Sequence, residues 1–194
     1  MTSVRNISDR RDPRDGYLDA ARTCILDVGW RRTTLTEVAR RAGVSRMTIY
    51  RTWPDMGSLL GDLMTREWTA VVTSQPSGDG PTGLVDMVVA TVRALREDEL
   101  FVRIVELDPE LLLPYLLARR GRSQDLVLDL LVDRIEQGQA AGEIRAGDPL
   151  PIARALVLGA HGFVLSAQTM VDEQVSEADL DAELATLLAR ALAP

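Results

Sequence analysis

The 194-residue chain has no lysine, and all 22 of its basic side chains are arginine. Ammonium point charges are thereby excluded, and any cationic contact runs through planar, forked guanidinium groups. Composition bias in the coding DNA is the simpler explanation of the preference. A single cysteine, Cys24, forms no internal disulfide, and a single histidine, His161, leaves no metal-binding cluster and no nucleophile paired with a base. No metal, no cofactor and no catalytic residue is therefore expected. Paired carboxylates such as Glu97 with Glu99 or Asp172 with Glu173 read as solvated charge. Gly78, Gly80 and Gly83 lack the preceding strand and the lysine of a phosphate cradle. The longest apolar run, Ala155 to Leu165, holds His161 and falls short of the roughly 18 residues of a spanning helix. No secretory signal is evident either, so no membrane segment and a cytoplasmic location are expected.

With 46% hydrophobic and 26% charged residues, the chain can build one compact unit, or two small packed ones, without staples. The net charge of -7 argues against a uniformly basic coat, but the charge is unevenly spread. Residues 1–60 carry 11 arginines against 7 acidic residues, a net +4, whereas residues 61–194 carry 11 against 22, a net -11. A basic head precedes an acidic body.

Apolar residues recur at three- and four-residue intervals throughout, without sustained two-residue alternation, so an all-α protein of about nine helices is expected. A polar start, residues 1–15, reads as a loose arm. A first helix follows from about Gly16 to Val28, ended by Gly29. Thr34 and Glu37 form a capping box, and Ser74 to Gly83, rich in Gly, Pro and Ser, reads as a mobile loop after a helix from Gly57 to about Thr73. Later helices are expected from about Leu84 to Leu95, around Leu100 to Leu107 and Pro109 to Arg119, from Ser123 to Ala141, from Asp148 to about Thr169, and from Ser176 onward.

The stretch Thr34 to Trp53, TLTEVARRAGVSRMTIYRTW, has the spacing of two helices crossing through a tight turn. Gly43 supplies a positive φ, Ala39 lets the second helix approach, and Val38, Ala42, Val44 and Ile49 point inward. Ser45 caps the second helix, which presents Arg46, Met47, Thr48, Tyr50, Arg51 and Thr52 outward. Phosphate-contacting residue types concentrated in the one basic portion of an acidic chain point to double-stranded DNA as partner.

At these residues, over about Gly16 to Leu63, the chain resembles the TetR family of bacterial transcriptional repressors. The resemblance implies a three-helix DNA-binding head, residues 1–60, and a helical ligand-binding and dimerisation domain, residues 61–194. It places Thr34 near a phosphate, Thr36 toward the groove, Arg46, Met47, Thr48 and Arg51 near bases, Tyr50 on a phosphate and Trp53 as a packing residue; Ser45 joins them as the cap. Where the family often has a phosphate-holding lysine, this chain has Met56.

In the body, Leu180, Leu184, Leu187, Leu188, Ala191 and Leu192 form a wide apolar stripe, and Ala155, Gly159, Ala160 and Gly162 permit close helix approach. The resemblance implies a homodimer through the last two helices, since two reading helices about 34–36 Å apart read a palindrome. An apolar small molecule in the body would then release the protein from its operator. Its candidate contacts are Met64, Trp68, Phe101, Tyr115, His161 and Gln168, the polar or aromatic residues on apolar helices. The alternatives are a helical small-molecule binding protein or enzyme whose head is only a packing module, and a helical protein that docks another regulator.

Overall fold

The computed structural model describes residues 12–75 and 78–194. Among them ten α-helices succeed one another with no strand: α1 Pro13–Val28, α2 Leu35–Arg41, α3 Arg46–Thr52, α4 Met56–Ser74, α5 Gly80–Glu97, α6 Glu99–Leu107, α7 Leu113–Leu117, α8 Arg122–Ala140, α9 Pro149–Ser166 and α10 Glu177–Leu192. Short 3-10 turns lie at Trp30–Arg32, Pro109–Leu111 and Ala167–Met170.

Three boundaries differ from the sequence reading. Helix α1 starts three residues before Gly16, because Asp12 caps it through the backbone N–H of Arg14 (2.9 Å) and Pro13 needs no N–H partner in the first turn. The expected loose arm therefore reaches no further than residue 11, outside the described residues. Helix α5 likewise begins before Leu84, at Gly80, and of the expected mobile loop residues 76–77 lie outside the described ones. The segment foreseen as one helix from Pro109 to Arg119 is a 3-10 turn followed by the five-residue α7. Other caps match the reading: Ser176 accepts from the backbone of Asp179 at 3.2 Å, and Asp148 from that of Leu150 at 3.0 Å.

Two apolar cores organise the molecule. The first joins Ile25 of α1, Val38 of α2, Ile49 of α3 and Leu59 and Leu63 of α4 to Leu100 and Ile104 of α6. The second joins α5, α8, α9 and α10 through residues such as Val92, Ile135, Ala153 and Leu184. Helix α4 crosses the division expected after residue 60 and carries the head's core into the body. Arg96 and Asp181 form an ion pair of 2.6 Å between α5 and α10 with both side chains buried, and Arg93 reaches the other Asp181 oxygen at 2.6 Å.

Helix α9 and the turn after it, Pro149–Met170, form a segment of 22 residues that is long and apolar enough, by length and composition, to cross a membrane. This segment is longer than the run read from the sequence because it extends past Arg154 on one side and Leu165 on the other. Ile152, Ala153 and Leu156 bury its inner face, where α9 packs on α5 and α8, but Leu158 is 71% exposed. Gly159 and Gly162 face open space: a Cβ at either would meet nothing within 4 Å. On α10 the expected stripe divides, with Leu184, Leu188 and Leu192 in the core and Leu187 outside at 57% exposure.

Candidate nucleic-acid interface and ligand cavities

Helices α2 and α3 are seven residues each, too short to hold themselves in water, and their ends are fixed by side chains. Thr34 Oγ1 accepts from the backbone N–H of Glu37 at 3.2 Å, and Ser45 Oγ from that of Thr48 at 3.2 Å. Between them Gly43 has φ of 69°, a left-handed conformation in which a Cβ is strained, and the N–H of Val44 donates to the carbonyl of Ala39 at 3.0 Å to close the turn. Ala39 is buried where α2 meets α3.

Helix α3 is anchored by Ile49 and Trp53, both buried. Trp53 meets Tyr17 of α1 edge to face, with ring centroids 6.3 Å apart, and its indole N–H donates to Asp62 Oδ2 at 2.6 Å. At 100° per residue, Arg46, Met47, Tyr50 and Arg51 occupy an arc of about 140° that leaves out Ile49, about 60° beyond Arg46. All four are exposed, Met47 at 76%. Thr34 and Ser45 are also exposed, whereas Thr36 and Thr48 are half-buried at the edges of this surface.

Electrostatics single out the same helix. Eight arginines lie between residues 12 and 60. Arg14, Arg22, Arg31, Arg40 and Arg41 pair with carboxylates, and Arg32 donates to the Val28 carbonyl at 2.9 Å. Arg46 and Arg51 have no ion pair or hydrogen bond among the described residues, so their full donor sets face solvent. The sequence reading chose these two for their place on the second helix; the ion pairs of their neighbours add an independent distinction.

A carboxylate missed in the sequence reading sits at the seam of head and body. Asp62 on α4 accepts from Trp53, from Arg14 of α1 and from Arg122 at the start of α8. Burial works against its charge, and the three donors outweigh that cost, holding its pKa below the usual carboxylate range. A second joint is made by Asp108 after α6, which is buried and accepts from the backbone N–H of Trp30 at 3.0 Å. Both anchor the head to the body through the turns that orient α2 and α3.

Inside the body, α4, α5, α8 and α9 enclose an almost wholly apolar cavity of about 140 Å³. Four of the six candidate ligand contacts line it: Trp68, Phe101, Tyr115 and His161. Trp68 and Phe101 meet edge to face with centroids 6.1 Å apart. His161 is half-buried and burial pushes its pKa down, which keeps the imidazole neutral. Met64 lies instead on a neighbouring cavity of about 430 Å³ between head and body, which Trp68 and Tyr115 also line. Gln168 lines neither; it is exposed after α9 and donates to Glu177. Cys24 is buried, and desolvation pushes its thiol pKa up, as for an inert packing residue.

Residues 18–63, which span the head from α1 to the first half of α4, match the bacterial regulatory proteins of the tetR family. An HTH-type transcriptional regulator of Mycobacterium bovis is 38% identical over 185 residues, covering 95% of each chain. The chain belongs to the TetR family. Its fold is that of other TetR proteins over most of its length. The transcriptional repressor QsdR of R. erythropolis superposes with a TM-score of 0.66 at 19% identity, covering 93% of this chain and 94% of that one. The SmeT–triclosan complex gives 0.60 at 24% identity, covering 95% and 93%. As a TetR-family member the protein is a DNA-binding transcriptional regulator, and α2 and α3 are its helix-turn-helix.

Proposed function

We propose that the protein is a homodimeric repressor that reads a palindromic operator through α3 and leaves it when a largely apolar small molecule enters the body. The observation that carries the DNA reading is the pair of arginines, Arg46 and Arg51, that have no partner among the described residues, beside exposed Tyr50 on the helix that Ile49 and Trp53 anchor. In this reading Arg46, Met47 and Arg51 approach base edges, Tyr50 and Thr34 meet phosphates, Thr36 and Thr48 line the groove edge, and Ser45 holds the helix start. The body's net charge of -11 keeps DNA at the head.

The second copy supplies what one short helix lacks, a reading element in the next major groove. Leu158, Gly159 and Gly162 of α9 and Leu187 of α10 support a two-fold bundle of these helices, because the chain's own elements leave them uncovered. Ligand control is supported by the apolar cavity, and SmeT, of the same fold, is a complex with triclosan. The protein acts without catalysis, in the cytoplasm, where a bacterial chromosome is reached.

The test is selection of duplexes from a random-sequence pool by the purified protein, then fluorescence anisotropy of the selected duplex against a scrambled one at two salt concentrations. Sequence-dependent binding that weakens with salt is expected. Equal, weak binding to both duplexes after selection overturns the assignment of α3 as a reader.

A further inference from the structure

The two cavities differ in chemistry but share a wall. Trp68, Leu112, Tyr115, Ser123 and Gln124 line both. The apolar one, at about 140 Å³, is smaller than the roughly 300–1,000 Å³ typical of small-molecule sites, whereas its neighbour, at about 430 Å³, falls within that range. A ligand that uses the apolar chamber therefore extends into the second.

That second cavity is lined by Arg14, Arg119, Arg120 and Arg122 with one carboxylate, Asp62. Three of these arginines come from a body in which acidic residues outnumber basic ones two to one, so the local excess is the reverse of its surroundings. Arg119 has no carboxylate partner among the described residues and lies over the Tyr115 ring, 5.2 Å from its centroid. Arg120 pairs with Asp125 at 2.9 Å, both side chains about half exposed, a pair that solvent screens. Ser123 is 5% exposed, lines both cavities, and its hydroxyl has no hydrogen bond among the described residues. A hydroxyl that no protein group engages, at the junction of an apolar and a cationic space, is a place for a polar ligand group.

We infer that the two cavities form one site for an amphipathic acid, with its apolar tail in the chamber against Trp68, Phe101 and His161 and its carboxylate at Arg119, Arg120 and Ser123. Guanidinium groups match a carboxylate with two parallel hydrogen bonds. This rests on the ligand-responsive reading above and names the class of its ligand. It also gives the ligand a route to the head: an anion beside Arg122 competes with Asp62, which Arg122 shares with Arg14 and Trp53.

The experiment is calorimetric titration of the full-length protein with dodecanoate, dodecanol and dodecylammonium below their micelle concentrations. The wild type is compared with the Arg119→Gln/Arg120→Gln variant, whose fold is verified by circular dichroism. Dodecanoate is expected to bind at least about tenfold more tightly than dodecanol, with dodecylammonium weakest, and the double variant to remove that preference while leaving dodecanol affinity in place. Equal affinity for acid and alcohol, an unchanged preference in the variant, or no binding of any of the three overturns the inference. Affinity for the selected duplex without ligand is measured in parallel. Its loss would sink the regulator reading, whereas the titration alone decides the ligand class.

Discussion

At the scale of single residues, function separates from packing by whether a charge is already spoken for. Arg40 and Arg41 are as exposed and as basic in sequence as Arg46 and Arg51, yet Glu37 and Asp27 hold the first two. Changing Tyr50→Phe together with Arg51→Ala is expected to lower affinity for the selected duplex at least about tenfold with the helical content and dimerisation unchanged, as read by anisotropy, circular dichroism and sedimentation. At the start of α4, Met56 offers no charge to a phosphate. Met56→Lys is expected to steepen the dependence of log K on log salt by about 0.9, measured over a salt titration. His161 supplies a pH test. Its folded pKa lies below the ordinary 6.5 because burial disfavours the cation. Well above 6.5 neither state is protonated there. As pH falls below 6.5 the unfolded chain takes up a proton that the folded chain refuses, so stability declines down to the folded pKa. Urea unfolding across this interval should show that decline in the wild type and less of it in His161→Gln.

At the scale of elements, the short reading helices borrow their order from longer ones. Helix α3 has two buried side chains, Ile49 and Trp53, counting its C-cap, and the position of Trp53 is fixed by Tyr17, Arg14 and Asp62 on α1 and α4. The joint between α5 and α10 has a different character, because it depends on charge. Arg96 is 7% exposed at its side chain and faces Asp181. Asp181→Ala leaves that guanidinium buried with only the half-exposed Glu177, 3.6 Å from its Nε, and a loss of about 3 kcal/mol in unfolding free energy is expected from chemical denaturation. A loss under about 1 kcal/mol would mean that water reaches Arg96 once the carboxylate is gone.

At the scale of the whole molecule, the proposed reading makes the uncovered face of α9 and α10 and the exposed face of α3 two halves of one requirement. Replacing exposed Leu158 and Leu187 by glutamate leaves the chain's own core untouched, since neither side chain is in it. The double variant is expected to sediment as a monomer with native helical content. It is also expected to bind the selected duplex about a hundredfold or more weakly, because the second half-site no longer benefits from being tethered to the first. A variant that stays dimeric would place the interface elsewhere.

Local rules of the chain determined the helix starts and the exposed face of α3. Thr34, Ser45, Asp148 and Ser176 announce helix starts because a capping hydroxyl or carboxylate acts within three residues. Gly43 announces the turn because its φ of 69° is a property of one residue. The basic head is likewise a matter of counting. Relations between distant segments were decided by the tertiary structure alone. That Asp62 binds Arg122, sixty residues on, and that Arg46 and Arg51 find no carboxylate among the described residues, follow from where helices cross. The same holds for the cavity linings: Gln168 satisfied the pattern of polar residues on apolar helices yet lines neither cavity, because the packing of α4, α5, α8 and α9 determines which side chains surround a shared space. Periodicity reports which face of a helix is apolar; what that face meets depends on long-range packing that no local pattern encodes.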